Sequence, residues 1–306
     1  MKRVFVAGCG FVGLAVARLL HREGWDVVGG THSNESAANL GEEPFPVIAA
    51  DLCDREALGS IPLLQGLDVV VHCASSRRGG VESYRAVYLE GARNLIELLQ
   101  PGLLVFTGST SVYAQLDGEW VTEESTAEPD RETGRILRQT ERLVLEQKGI
   151  VARLAGVYGP GRSVLLKKFF AGEAVLEGDG MRWINQAHRD DIATALLALI
   201  NYRESGIFNV CDNEPLHQRA LYEWLAGRFG RALPPAGPID PNRKRGWTHK
   251  RVSNQKLRAL GWEPRFPSFF DAVEKDQGLL EGIVRVEDDC AEGRDEGLRG
   301  KSKGPH

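Results

Sequence analysis

Hydrophobic positions in the first half of the chain follow two alternating rhythms. Short continuous apolar runs at 3–7, 26–30, 46–50 and 67–73 (the last reading LDVVVHC) predict strands buried on both faces. Between the first two, residues 11–23 place Val12, Ala15, Val16, Leu19 and Leu20 at helical spacing, and Gly24 supplies a stop. Residues 84–99 and 134–148 read as further helices, and 103–107 and 150–154 as the fifth and sixth strands. Strands alternating with helices predict an α/β fold with a doubly wound parallel sheet. Beyond Gly159 the rhythm loosens. Residues 160–183 mix a basic helix with glycine-rich loops, 190–201 and 216–230 are helical, and 206–210 is a short strand. Residues 252–260 and 268–283 also carry helical spacing. From about residue 287 the chain is polar (EDDCAEGRDEGLRGKSKGPH), so 286–306 is expected to be a disordered tail.

Composition adds limits. Hydrophobic residues make up 42% and charged residues 26%, an ordinary globular balance, and the net charge of −4 gives no field favouring nucleic acid or an anionic membrane. No apolar run is long enough for a membrane span. The start, MKRVFVAG, has the charge order of a weak signal peptide but reads better as a first strand. Cys9, Cys53, Cys73, Cys211 and Cys290 form no C-x-x-C pair; they are expected to be reduced thiols of a cytoplasmic protein, with no metal site.

The chemistry begins at GCGFVG. Gly8, Gly10 and Gly13 follow a strand and open a helix, the context in which G-x-G-x-x-G cradles a dinucleotide. Gly8 permits the turn, Gly10 lets backbone approach a pyrophosphate together with Phe11 and Val12, and Gly13 lets helix and strand pack closely. An NAD site commonly ends its second strand in a carboxylate. Here that strand runs into Thr31, His32 and Ser33, without an acid and without an arginine, which favours NADP slightly over NAD. Asp51 and Leu52, after the third strand, are placed to meet an adenine, or Asp51 caps the next helix. After the fourth strand, Cys73, Ala74 and Ser75 are small enough for close approach of a cofactor, and Arg77 is available to an anion.

LVFTGSTSVYA at 104–114, RLAGVYGPGR at 153–162, WINQAHRDDIATAL at 183–196 and IFNVCDNEP at 207–215 resemble the extended short-chain dehydrogenases/reductases, specifically the NAD-dependent epimerase/dehydratase family and its atypical members. With the glycine loop, the resemblance spans about residues 1–285. It implies a Rossmann domain at 1–160, with 184–212 returning to it, and a smaller C-terminal substrate lobe at 161–183 and 213–285. It also implies cofactor contacts from Thr107, Gly108, Ala155, Gly156 and Val157, a small-molecule substrate such as a nucleotide sugar, and a homodimer. The family's hydroxyl position falls on Ser109. Its Y-x-x-x-K helix reads TGRIL here, so Thr133 stands at the tyrosine and Leu137 at the lysine. A phenol is a usable base only when a cation lowers its pKa, and a threonine is far weaker. Tyr113 is a candidate replacement beside Ser109, or it packs in the core as the family's tyrosine at this position usually does. Arg77, Tyr88, Arg162, Arg182, Asn185 and His188 are the expected substrate contacts, although His188 also suits a hinge buttress. Two functions stay open: an oxidoreductase with a changed acid/base set, or a protein that binds NAD(P)(H) without turnover.

Overall fold

The computed structural model describes residues 2–76, 79–240, 247–281 and 283. Seven strands form one parallel sheet: β1 (Arg3–Ala7), β2 (Asp26–Thr31), β3 (Val47–Ala49), β4 (Val69–His72), β5 (Leu104–Ser109), β6 (Ile150–Leu154) and β7 (Gly206–Val210). Their order is β7-β6-β5-β4-β1-β2-β3, which is the doubly wound Rossmann arrangement. β1 pairs with β2 on one side and β4 on the other, matching Val4 to Val27 and to Val69. The chain reverses its direction of winding there, and the crevice at the carboxyl ends of β1 and β4 is where such sheets take ligands.

The central strands read as unbroken apolar runs because helices cover both faces: Val4, Phe5, Val6, Val69, Val70 and Val71 are all fully buried. Each such side chain contributes roughly 1.5–3 kcal/mol of burial. Helix Phe11–Arg22 turns Val16, Ala17 and Leu20 onto the sheet and packs against helix Arg189–Tyr202. Helix Glu132–Glu146 lies over β5 and β6 and is tied down by a buried ion pair. Arg153 Nε and Nη2 donate to the two oxygens of Glu141 at 2.8 Å each, with both side chains essentially inaccessible.

Several boundaries differ from the sequence pattern. The fourth helix starts at Val81, earlier than residue 84, and its middle, Arg85–Glu90, is a π-helical stretch before α-helix resumes over Gly91–Leu99. His72, at the end of β4, accounts for part of this: its Nε2 donates to the carbonyl of Val87 at 3.0 Å. The expected helix at 252–260 is instead a strand, Arg251–Val252, and a single helical turn, Gln255–Arg258. Pairing of Arg251 and Val252 with Trp120 and Val121 overrides the local helical spacing. The 268–283 helix breaks after Lys275, where Asp276 leaves helical geometry.

A second apolar cluster lies apart from the sheet. Leu166, Phe169 and Phe170 of helix Val164–Phe170 meet Leu221, Tyr222 and Leu225 of helix Gln218–Phe229 and Phe269, Ala272 and Val273 of helix Phe269–Lys275. Among the described residues, no helix is long and apolar enough to cross a membrane. Cys9, Cys53, Cys73 and Cys211 are free thiols.

Candidate functional site

Two cavities adjoin at the carboxyl edge of the sheet. The first, of about 470 Å³, follows the glycine loop. Gly8, Gly10, Phe11 and Val12 line one wall, Cys73, Ala74 and Ser75 the loop after β4, and Thr31 and His32 the end of β2. Thr107, Gly108 and Ser109 of β5, with Ala155 and Val157 beyond β6, close the far end. The loop has no room for other residues at two positions. Gly8 has φ +104°, and a Cβ there would lie 2.4 Å from the Ala74 nitrogen. A Cβ on Gly13 would lie 2.1 Å from the Gly8 carbonyl oxygen. Gly10, by contrast, faces open space. It caps helix Phe11–Arg22 without a side-chain hydrogen bond, and that helix has no acid in its first turn, so its amides remain available to an anion.

Other expected cofactor contacts sit just outside this cleft. Gly13 acts through packing. The Ser33 hydroxyl accepts from the Ser36 amide as the cap of helix Asn34–Ala38. Asp51 accepts from the Cys53 amide at 2.9 Å and lies 3.6 Å from His32 Nδ1. Leu52 is buried against Gly91, and the Gly156 amide donates to the Asn185 carbonyl.

The second cavity, of about 550 Å³, is lined by Ser111, Ala114, Arg131, Thr133, Gly134, Trp247 and Thr248, among others. Tyr84 and Leu137 line both cavities and so form their shared wall. Leu137 comes from the second turn of helix Glu132–Glu146, and Tyr84 is the last residue before the π-helical stretch. The Tyr84 and Tyr88 rings meet edge to face at 5.0 Å, and Tyr88 lies over His72. Burial pushes the His72 imidazole down to about 4, so it is neutral at physiological pH.

The expected substrate contacts scatter. Tyr88 lines the glycine-loop cleft and not the second cavity. Arg162 also lines that cleft, its guanidinium stacked on Phe11 at 5.0 Å with Arg189 nearby at 5.2 Å. Arg182 pairs with Glu177 at 3.1 Å. Asn185 clamps a distant strand: its Nδ2 donates to the Lys250 carbonyl and its Oδ1 accepts from the Val252 amide. His188 is 1% exposed; its Nδ1 accepts from the Asp190 amide at 3.2 Å, which leaves Nε2 to donate to Asp276 at 3.0 Å. With both nitrogens engaged by protein, His188 is the helix cap and a tie between the two apolar clusters, and both polar atoms of the Asn185 side chain bond the 250–252 segment. Arg77 lies outside the described residues, as does 286–306.

Tyr113 lies in the core. It is fully buried, its hydroxyl donates to Asn209 at 2.9 Å, and its ring lies under Arg153. Burial pushes its phenol further above the ordinary value, which suits a core residue and not a base. Ser109, the other catalytic candidate, lines the first cavity, with its hydroxyl accepting from the Ser111 amide at 3.2 Å. The residues that sequence reasoning missed, Trp247 and Thr248, reach the site from more than a hundred positions beyond Ser111, and no local pattern marks them.

The family model for the NAD dependent epimerase/dehydratase family matches residues 4–211. Protein YeeZ of Escherichia coli (strain K12) is 28% identical over 280 residues, covering 87% of this chain and 97% of that protein. The 3-diazoavenalumate denitrifying reductase of a Streptomyces species is 27% identical over 310 residues, covering 90% of this chain and all (100%) of the reductase. A candidate NAD-dependent epimerase/dehydratase structure from Methylobacillus flagellatus superposes with a TM-score of 0.74 at 28% identity, covering 92% of this chain and 99% of that one.

Proposed function

Since the chain belongs to the NAD-dependent epimerase/dehydratase family, we propose that it is an NAD(P)-dependent oxidoreductase whose first cavity holds the dinucleotide and whose second holds a carbonyl substrate. The observation that carries this reading is the shared wall of Tyr84 and Leu137, where two ligands would meet. The glycine loop fits a dinucleotide: a Cβ at Gly8 or Gly13 would collide with backbone, while Gly10 leaves the helix amides open. Gly10, Phe11 and Arg162 would hold the pyrophosphate, Thr31 and His32 the adenosine ribose, and Thr107 and Ser109 the nicotinamide end. When bound, the dinucleotide supplies the hydride.

Reduction is the direction proposed. Either direction needs a group that exchanges one proton with the substrate oxygen, and the resemblance puts Thr133 and Leu137 at the family's tyrosine and lysine positions. In reduction the carbonyl oxygen becomes an alkoxide that must receive that proton, and Tyr84, Ser111, Thr133 and Thr248, which line the second cavity, are the hydroxyl residues that would donate to it. A relative named as a reductase supports the same direction. A nucleotide sugar or another polar carbonyl compound would suit a cavity with Trp247 beside these hydroxyls and Arg131. NADP is favoured slightly over NAD, because the ribose end has neither an arginine nor a carboxylate directly in the cleft. The second reading, a protein that binds NAD(P)(H) without turnover, is favoured by the apolar Leu137 at the junction.

One experiment separates them. NADPH and NADH binding is measured by fluorescence, and dihydronicotinamide absorbance is followed with panels of nucleotide sugars and carbonyl compounds. Turnover that falls on Ser109→Ala supports the enzyme. Tight cofactor binding with no consumption across both panels supports the binding protein, and binding of neither dinucleotide overturns both.

A further inference from the structure

We propose that Thr248 and Lys250 form the proton-donating pair of the second cavity, Thr248 as the hydroxyl that meets the substrate oxygen and Lys250 as the cation that positions and reprotonates it. This rests on the reductase reading above. Lys250 is 4% exposed, and its Nζ donates to Thr248 Oγ1 and to the Tyr113 carbonyl, both at 2.8 Å. An ammonium has donors and no acceptor, so Thr248 Oγ1 can only accept from it, and the threonine keeps its own proton for another group. Thr248 lines the cavity, as do Ala114, next to the carbonyl that anchors Lys250, and Thr133.

The segment that carries the pair is held by strand pairing and by a side-chain clamp. Strand Arg251–Val252 pairs with Trp120–Val121, and Asn185 grips the Lys250 carbonyl and the Val252 amide. This gives Asn185 a purpose that direct substrate contact does not. Arg182, itself paired with Glu177, faces Lys250 with like charge, and Glu119 faces it with opposite charge. His249, between the pair, accepts from the Trp183 amide through Nδ1, and burial together with His217 lowers its pKa. Burial and Arg182 bring the Lys250 ammonium down to about 7 against the pull of Glu119. A donor that releases its proton near neutral pH is matched to acid catalysis there, which an ordinary lysine is not.

The protons balance. As the carbonyl carbon receives a hydride from a dihydronicotinamide, negative charge collects on its oxygen. That oxygen bonds the Thr248 hydroxyl proton; Thr248 Oγ1 takes one proton from Lys250 Nζ, leaving a neutral amine. Solvent protonates the amine again. The family's arrangement, a phenol with a lysine one helical turn away, would be replaced by an aliphatic hydroxyl with a lysine two residues away on an extended segment.

The test uses 4-nitrophenol, whose oxyanion and neutral forms absorb differently. At about pH 6, wild-type protein is expected to shift the bound probe toward the phenolate by about tenfold relative to free probe. Lys250→Met and Thr248→Val are each expected to abolish that shift, and Thr248→Ser to retain it. Thr248→Val leaves the buried lysine in place, so the test stands if Lys250→Met fails to fold. Equal spectra in wild type and Thr248→Val, or no binding of the probe by wild type, overturn the pair. NADPH fluorescence titration of the same samples separates the two ideas: intact NADPH binding without a phenolate shift sinks this pair and leaves the reductase reading standing.

Discussion

At the residue scale, the position of a hydroxyl matters more than its presence. Tyr113 follows Ser109 closely in sequence, yet its phenol is spent in the core on Asn209. Tyr84 arrives from another element and stands at the junction of the two cavities. Tyr84→Phe is therefore expected to lower turnover on the order of 100-fold while leaving NADPH affinity unchanged, as befits a hydroxyl that acts on charge developing in the reaction. Steady-state kinetics beside a cofactor titration decides it; a parallel loss of NADPH binding would show Tyr84 to be a wall of the first cavity only. Gly13 yields a second expectation. A methyl group 2.1 Å from the Gly8 carbonyl must push helix Phe11–Arg22 off the loop. Gly13→Ala should cost about 1–3 kcal/mol of stability and weaken NADPH binding by roughly tenfold or more. Both are read from denaturation and fluorescence on one preparation.

At the scale of elements, helix Glu132–Glu146 carries two kinds of information. Its amphipathic spacing is plain in the sequence, and the structure moves its start by only two residues. The use of its polar residues is not plain. Glu141 looks like one of several surface charges, but it is fully buried and locks the helix to β6 through Arg153. Arg138 also reaches Glu141 from the same helix. Removing the carboxylate strands a buried guanidinium, so Glu141→Ala is expected to destabilise the fold by about 3–5 kcal/mol. Urea unfolding measures this, and a loss below about 1 kcal/mol would mean that the site rehydrates. The π-helical stretch Arg85–Glu90 was equally hidden. An extra residue in a helical turn leaves a carbonyl to be satisfied from outside, and His72 on β4 supplies the donor to Val87. Residues 252–260 show the opposite failure: helical spacing was present, but partners distant in sequence turned its start into strand.

At the scale of the whole molecule, the region between the two apolar clusters concentrates buried polar groups. His188 joins its helix to Asp276. Asp191 accepts from the amides of Arg265 and Phe266. Asp212, 4% exposed, has its pKa held well above the ordinary carboxylate value by burial, with Glu214 and Asp191 adding like charge. Burial likewise raises Asp191. For such groups the folded state keeps a proton that the unfolded chain releases. From the ordinary carboxylate pKa up to the raised folded value, the folded state binds more protons, so stability falls as pH rises through that window. Asp212→Asn removes one of the two contributions. It is expected to be more stable than wild type at about pH 7 and to show a shallower decline between about pH 5 and pH 7. Urea midpoints across that range test the claim, and parallel curves for the two proteins would refute it.

The sheet, the position of the glycine loop and the family were legible along the chain, because each depends on local periodicity or on residues a few positions apart. Val4 to Val6 are apolar on consecutive positions because both faces of β1 are covered, and Gly8, Gly10 and Gly13 are spaced by the turn they make. The second cavity was decided by tertiary structure alone. Tyr84 and Leu137 belong to separate helices and Thr248 to the irregular segment before strand Arg251–Val252, and only the winding of the sheet and the return of the 247–252 segment bring them together. Burial completes the difference. It places Tyr113 and His188 among protein partners and brings the Lys250 ammonium down to about 7, and desolvation of that kind is a property of the packed fold that no short stretch of residues contains.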